Sequence, residues 1–206
     1  MESPLETARA ARGHYRYESG HHGDLWLDLD ALLLDASRMK TWAAELAVKS
    51  SSTNTDVVCR PLTGGAFLAQ MVATSLGADF VVVERIETAT GHTRYRIPPS
   101  MRDGLRGRRV LVVDDAVNAG SAWLGTLEEL RRCDAQTVAF ATLLTSGDAA
   151  SRIAAEHDAP LVTLETVERE MWDAVDCPLC RSGGAARKSP RERLRRPHHG
   201  GHLLSR

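Results

Sequence analysis

Short apolar runs alternate with helical spacings along most of the chain. Asp56-Val57-Val58-Cys59, Phe80–Glu84, Val110–Val113, Thr137–Leu144 and Leu161–Leu164 are rich in β-branched and apolar residues and have the length of buried strands. Between them, Gly64–Leu76, Ser121–Arg132 and Asp148–His157 repeat their apolar positions at helical spacing, with Gly77 placed to stop the first. Ser37 is positioned to cap an earlier helix running to Lys49. His14–Tyr17 and Leu25–Asp28 alternate as short strands do, while the stretch after Phe80–Glu84 reads as irregular as far as Arg108. Strands alternating with helices predict an α/β fold, a mostly parallel sheet flanked by helices. No internal repeat is visible.

Composition narrows the class. The chain has 206 residues, 43% of them hydrophobic, and a formal net charge of −1, enough to bury a core of ordinary domain size. It contains no apolar run long enough to span a membrane, and its first residues are neither basic nor apolar, so a cytoplasmic protein is expected. Four scattered cysteines do not form a disulfide framework. Charge is uneven: Arg181, Arg187, Lys188, Arg191, Arg193, Arg195, Arg196 and Arg206 face a single acid, Glu192, at the C-terminal end. Residues 184–206 therefore predict a basic, disordered tail, read as solvated rather than as a nucleic-acid contact.

The most informative segment is Val110-Leu-Val-Val-Asp114-Asp115-Ala-Val-Asn118-Ala119-Gly120-Ser121-Ala122. A buried strand ends in two carboxylates, a run of small residues follows, and a helix begins. A helix N-terminus presents unpaired amides and the positive end of the helix dipole, which suits a phosphate. The carboxylates only accept hydrogen bonds, so they suit ligand hydroxyls or a divalent cation. Together they imply a ligand carrying a sugar diol and a phosphate.

This segment resembles the 5-phosphoribosyl pyrophosphate (PRPP) signature of type I phosphoribosyltransferases, with a loop closest to the orotate branch, in which Asn118 and Ser121 stand where threonines are common. The resemblance implies that Asp114 and Asp115 hold the ribose hydroxyls, and magnesium directly or through water. It implies that Asn118, Ala119, Gly120, Ser121 and Ala122 wrap the 5-phosphate, and that Pro61, Leu62, Thr63, Gly64 and Gly65 form the pyrophosphate loop. The segment Tyr17–Asp28, centred on Ser19-Gly20, is similar to the hood of the orotate enzymes. Their mobile catalytic loop corresponds to Glu84–Arg108, where Arg85, His92, Arg94 and Arg96 are the lid candidates.

The chain departs from that branch at three places. Glu18 replaces a lysine ahead of the Ser-Gly, the lid stretch contains no lysine, and Thr145-Ser146-Gly147 occupies the position of the arginine that holds the orotate carboxylate. Arginine neutralises a leaving pyrophosphate well but does not donate a proton at neutral pH, whereas His92 can.

The resemblance implies a type I phosphoribosyltransferase domain over residues 1–183, with a small N-terminal hood at about 14–30 and a core at about 50–166. The implied activity is magnesium-dependent transfer of the phosphoribosyl group from PRPP to a nucleobase, by a homodimer, as in pyrimidine biosynthesis, with the acceptor open. The alternative is a non-catalytic PRPP-sensing regulator. Cys177-Pro178-Leu179-Cys180 supplies half of a zinc site, which His198, His199 and His202 would have to complete; the sequence favours a plain turn with reduced thiols.

Overall fold

Each of the five apolar runs forms a strand that extends past it toward its carboxyl end, because ladder pairing with neighbours carries polar residues along with the apolar ones. The computed structural model describes residues 2–17, 20–61, 64–87 and 93–188. In chain order the elements are α1 (Pro4–Thr7), β1 (Ala11–Arg16), β2 (His22–Trp26), α2 (Ala36–Ser50), β3 (Val57–Pro61), α3 (Ala66–Leu76), β4 (Asp79–Glu87), β5 (Thr93–Arg96), α4 (Pro99–Arg102), β6 (Arg109–Val117), α5 (Ser121–Arg132), β7 (Gln136–Ser146), α6 (Ala149–Glu156), β8 (Leu161–Val167), β9 (Met171–Trp172), α7 (Pro178–Arg181) and β10 (Arg187–Lys188). They fall into two units: a larger one of residues 2–9 and 28–168, and a smaller one of residues 10–27 and 169 onward.

The larger unit is built on a six-stranded sheet of order β5-β4-β3-β6-β7-β8, parallel except for the antiparallel β4–β5 pair. This is the expected α/β fold with a mostly parallel sheet. Strands β3 and β6 are apolar on both faces because helices cover both. On one face Val57, Cys59, Val110, Val112 and Phe140 join Trp123, Leu127 and Leu130 of α5 and Ile153 of α6 in one core. Val58 and Leu111, alternate in each strand, turn to the other face, where α2 and α3 pack. From β3 the chain winds one way, to β4; from β6 it winds the other, to β7 and β8. The topological switch point therefore lies between β3 and β6, where open α/β sheets place their ligands, at the carboxyl ends of the strands.

Several local expectations are corrected. The cap of α2 is Asp35, not Ser37: its Oδ1 accepts from the amides of Ser37 and Arg38 at 3.0 and 3.1 Å, and a carboxylate also complements the helix dipole. These bonds, first that from Arg38, hold the Asp35 carboxyl below its ordinary value. Glu84–Arg108 is not irregular throughout. Strand β4 continues to Glu87 and returns as β5, since Ile86 and Tyr95 extend the alternation, and Tyr95 packs on the core. Gly77 stops α3 as expected, in the left-handed region at φ 65°.

The smaller unit has a four-stranded sheet of order β10-β1-β2-β9. Among its described residues the buried side chains are few: Tyr15, His22, Leu25 and Cys177. Arg187 and Lys188, within the stretch expected to be tail, pair in parallel with Tyr15 and Arg16; residues 189–206 lie outside the described residues, as do Glu18 and Ser19 of the hood motif.

The core is most sensitive where α5 meets the sheet. Phe140 is fully buried and stacks on Trp123 with centroids 4.7 Å apart. Phe140→Ala is expected to cost about 3–5 kcal/mol of unfolding free energy, read as a lower urea midpoint with an unchanged slope.

Candidate active site at the switch point

Strand β6 keeps its pairing with β7 as far as Val117↔Thr145, but its pairing with β3 ends at Cys59↔Val112. The two central strands part where polar residues replace apolar ones: Arg60 at the end of β3, Asp114 and Asp115 near the end of β6. The carboxylates thus sit inside a strand rather than in the turn after it. All three side chains are buried, with residue exposures of 4%, 6% and 7%.

Arg60 bridges the acids. Its Nη2 donates to Asp114 Oδ1 at 2.7 Å and to Asp115 Oδ1 at 3.1 Å, while Nη1 donates to the Pro61 carbonyl. The amides of Asp115 and Ala116 donate to the same two carboxylate oxygens, at 3.0 and 2.9 Å. The four bonds from Arg60 Nη2 and the two amides all fall on Oδ1 of the acids. One cation cannot balance two buried anions. Burial first, then the neighbouring Asp115 charge, raise the Asp114 carboxyl well above the usual carboxylate range, and Arg60 only partly pulls it back. Arg60 Nε is buried without a partner among the described residues, a desolvation cost carried by the ligand-free site.

The Gly64-Gly65 turn packs directly on this triad. A Cβ on Gly64 would lie 2.7 Å from Asp115 Oδ2, and one on Gly65 would lie 2.8 Å from Arg60 Nε and 3.0 Å from the Asp115 amide. Glycine is needed here because the turn leads the chain into α3 across the face of the acids, with no room for a side chain. Pro61 is buried in β3; Leu62 and Thr63 lie outside the described residues.

After β6, Asn118 and Ala119 form an exposed turn, and Gly120 adopts φ 76°. A Cβ on Gly120 would also strike Ile153 Cδ1 at 2.4 Å, so only glycine serves as the N-cap of α5. No side chain caps this helix, so the amides of its first turn, from Ser121 and Ala122 onward, are left for a ligand.

Oxygen-only donors at a buried anionic pair fit magnesium, which prefers carboxylate and water oxygens. Cation binding would also relieve the excess negative charge that raises Asp114.

The lid candidates lie on the β4–β5 hairpin. Arg85, Arg94 and Arg96 are exposed; Arg96 pairs with Glu84 at 3.0 Å and Arg85 donates to Thr93 at 3.3 Å. His92 lies outside the described residues. At the end of β7, Thr145 and Ser146 are buried, with Thr145 bonded to Thr166 and the Ser146 hydroxyl without a partner among the described residues. Arg152 is exposed on α6 and pairs with Asp148 and Glu156. Arg60 is the site residue that the sequence reading passed over, although a charged residue closing the run Val57-Val58-Cys59 is a visible anomaly.

A family model described as a phosphoribosyl transferase domain matches residues 32–177. The chain is 28% identical over 189 residues to an orotate phosphoribosyltransferase of Sulfurovum sp., a match covering 85% of this chain and 90% of that protein. Its structure is similar to that of an orotate phosphoribosyltransferase from Aeropyrum pernix, with a TM-score of 0.60 and 26% identity over 77% of this chain and 88% of that one. It shares its fold with an adenine phosphoribosyltransferase from Rhodothermus marinus, with a TM-score of 0.61 at 18% identity, covering 79% of this chain and 96% of that one.

Two outcomes follow from the triad. Arg60→Met leaves two buried carboxylates without their cation and should cost about 3–5 kcal/mol at neutral pH; adding Asp114→Asn and Asp115→Asn should restore most of it, as read by urea unfolding. Because Asp114 is raised in the folded state, its protonated form favours folding. That contribution is complete below the unfolded carboxyl value of about 4 and is lost as pH rises through the folded value. The melting temperature of ligand-free Asp114→Asn should therefore exceed that of the natural protein by an amount that grows with pH above about 4, as followed by thermal scans across pH.

Proposed function

The chain belongs to the phosphoribosyl transferase domain family, whose enzymes are pentosyltransferases, and we propose that it binds PRPP with magnesium and transfers the 5-phosphoribosyl group to a nucleobase, releasing pyrophosphate. The observation that carries this reading is the packing of the Gly64-Gly65 turn onto the Asp114–Asp115 pair at the switch point, with the uncapped N-terminus of α5 following in the same chain segment.

Each part has a task that its chemistry suits. The carboxylates of Asp114 and Asp115 accept hydrogen bonds from the ribose 2- and 3-hydroxyls. The first-turn amides of α5, with Asn118, Ala119, Gly120, Ser121 and Ala122, hold the 5-phosphate. The turn Pro61–Gly65 brings bare backbone to the pyrophosphate. Magnesium held at Asp114 and Asp115, directly or through water, would neutralise pyrophosphate and ribose oxygens. Arg85, Arg94 and Arg96, carried on a hairpin, supply positive charge to the leaving group without acting as acids, and His92 is the candidate proton donor. Departure of pyrophosphate generates an oxocarbenium-like sugar that water would capture, so the protein's work is positioning, charge neutralisation and exclusion of water.

For the acceptor, the named relatives point to orotate, while the end of β7 points elsewhere. Thr145 and Ser146 offer neutral hydroxyls where a carboxylate would call for a cation, and Arg152 is held by its own helix. This favours a base recognised by neutral hydrogen bonds. The same feature supports the second reading, a PRPP-binding regulator without turnover. As in the family resemblance, a homodimer in the cytoplasm is the proposed state; no helix among the described residues is long and apolar enough to cross a membrane.

Isothermal titration with PRPP and magnesium, followed by orotate, uracil and purine bases in the same cell, tests the reading. PRPP binding with turnover on one base is the expected result. Binding without turnover on any base selects the regulator, and absence of PRPP binding overturns both. Asp115→Asn should weaken PRPP by about ten- to a hundredfold, the loss of charge-assisted hydrogen bonds worth about 1.5–3 kcal/mol, with the melting temperature maintained. Retained affinity would remove the acid pair from the site.

A further inference from the structure

The smaller unit contains a cluster that the transferase chemistry does not use. His14 of β1, His22 of β2 and Cys177 and Cys180 at the start of α7 bring four donor atoms within 4.8 Å of one another. It is the sole group of three or more metal-ligating side chains of this kind among the described residues. The sequence expectation of a plain Cys-x-x-Cys turn is thereby replaced, because strand pairing between β1 and β2 delivers two histidines to the thiols from more than 150 positions away. His198, His199 and His202, the partners considered from sequence, lie outside the described residues.

We propose that His14 Nε2, His22 Nδ1, Cys177 Sγ and Cys180 Sγ form a structural zinc site.

Four of the six spacings among the donor atoms are close to the edges of a coordination tetrahedron, and all six are within 4.8 Å. Bonds of about 2.05 Å to nitrogen and 2.3 Å to sulfur at the tetrahedral angle separate two nitrogens by about 3.3 Å and a nitrogen from a sulfur by about 3.6 Å. The observed edges are 3.1 Å from His14 Nε2 to His22 Nδ1, 3.4 Å from His14 Nε2 to Cys177, 3.7 Å from His14 Nε2 to Cys180 and 3.2 Å from His22 Nδ1 to Cys180.

Hydrogen bonding alone does not account for this arrangement. His14 Nδ1 lies 2.9 Å from the Gly184 carbonyl, an acceptor that requires the proton on Nδ1 and leaves Nε2 with a single lone pair. That lone pair faces three neighbours at once. A cation resolves the competition by taking one lone pair from each of the four donors. The Gly184 contact is also the outer-shell hydrogen bond that ordinarily orients a metal-bound histidine.

The donor set selects the metal and its role. Two thiolates and two imidazoles in a tetrahedron suit zinc, and convergence on one point leaves no place for a second ion. All four positions are filled by the protein, so no coordination position is open for catalysis. A structural need is evident: the described residues of this unit, 10–17, 20–27 and 169–188, bury few apolar side chains, and small scaffolds with a thin core generally draw on a metal, a disulfide or a partner. The ion would fasten the β1–β2 hairpin to the α7 turn.

The test uses the full chain, produced with zinc in the medium. Elemental analysis should find about one zinc per chain, and replacement by cobalt should give the visible bands and thiolate charge-transfer absorption of a tetrahedral sulfur–nitrogen site. Cys180→Ser, at an exposed position, and His22→Gln should each lose most of the metal and the cobalt spectrum, whereas Cys133→Ser, outside the cluster, should keep both. A strong chelator should lower the melting temperature of the natural protein and leave that of Cys180→Ser unchanged. Zinc absent from the supplemented protein together with no cobalt spectrum, or zinc retained in full by both Cys180→Ser and His22→Gln, would overturn the assignment.

Discussion

One guanidinium set between two carboxylates organises the centre of the larger unit. Arg60 near the end of β3 and Asp114 and Asp115 within β6 follow the apolar runs Val57–Cys59 and Val110–Val113, and burying them is tolerable only because each acid oxygen in use accepts both an Arg60 N–H and a backbone amide. Their presence explains why β3 and β6 stop pairing after Cys59 and Val112 while β6 stays bonded to β7. It also explains why the following turn is Gly64-Gly65, since either Cβ would collide with the triad. Burial first, and then the neighbouring Asp115 charge, hold the Asp114 carboxyl well above the usual carboxylate range, and Arg60 only partly offsets them.

Around this centre the rest of the sheet serves as a rigid mount. Packing of α5 through Trp123, Leu127 and Leu130 fixes the helix whose N-terminus is left uncapped, and Gly120 admits the tight entry that Ile153 would otherwise block. Buried Glu129 of α5 accepts from the Ile97 amide at 3.1 Å and from Arg102 at 2.8 Å, which ties the exit of the β4–β5 hairpin to the same helix. The hairpin with the candidate lid arginines and the helix proposed to hold the phosphate therefore share one support.

The two units hold themselves together by different means. The larger one has a continuous hydrophobic core between sheet and helices. Among its described residues the smaller one buries little, and two imidazoles and two thiols from distant parts of the sequence converge within it. In the proposed zinc site, coordination bonds would substitute there for an apolar core.

Local pattern was sufficient for the α/β class, for β3, β4, β6, β7 and β8 with helices α3, α5 and α6, and for the family resemblance, because strand runs, the Gly77 stop and the segment Val110–Ala122 are contiguous and carry their physics within a few residues; β5 and α4 were not legible. Boundaries were less legible: β4 and β6 run further than their apolar stretches because neighbouring strands pair with them, and Asp35 displaced Ser37 as a cap because the helix begins two residues earlier, where the Asp35 carboxylate accepts from the Ser37 and Arg38 amides. Three features belong to tertiary structure alone. Arg60 meets Asp114 and Asp115 across 54 and 55 positions, His14 and His22 meet Cys177 and Cys180 across more than 150, and Thr145 and Ser146 come to stand buried where an acceptor-binding cation was sought. Residue types and local spacing determine what each segment can become. Which charges must share a dielectric, and which lone pairs converge on one point, is decided by strand order and chain crossing, which no local spacing encodes.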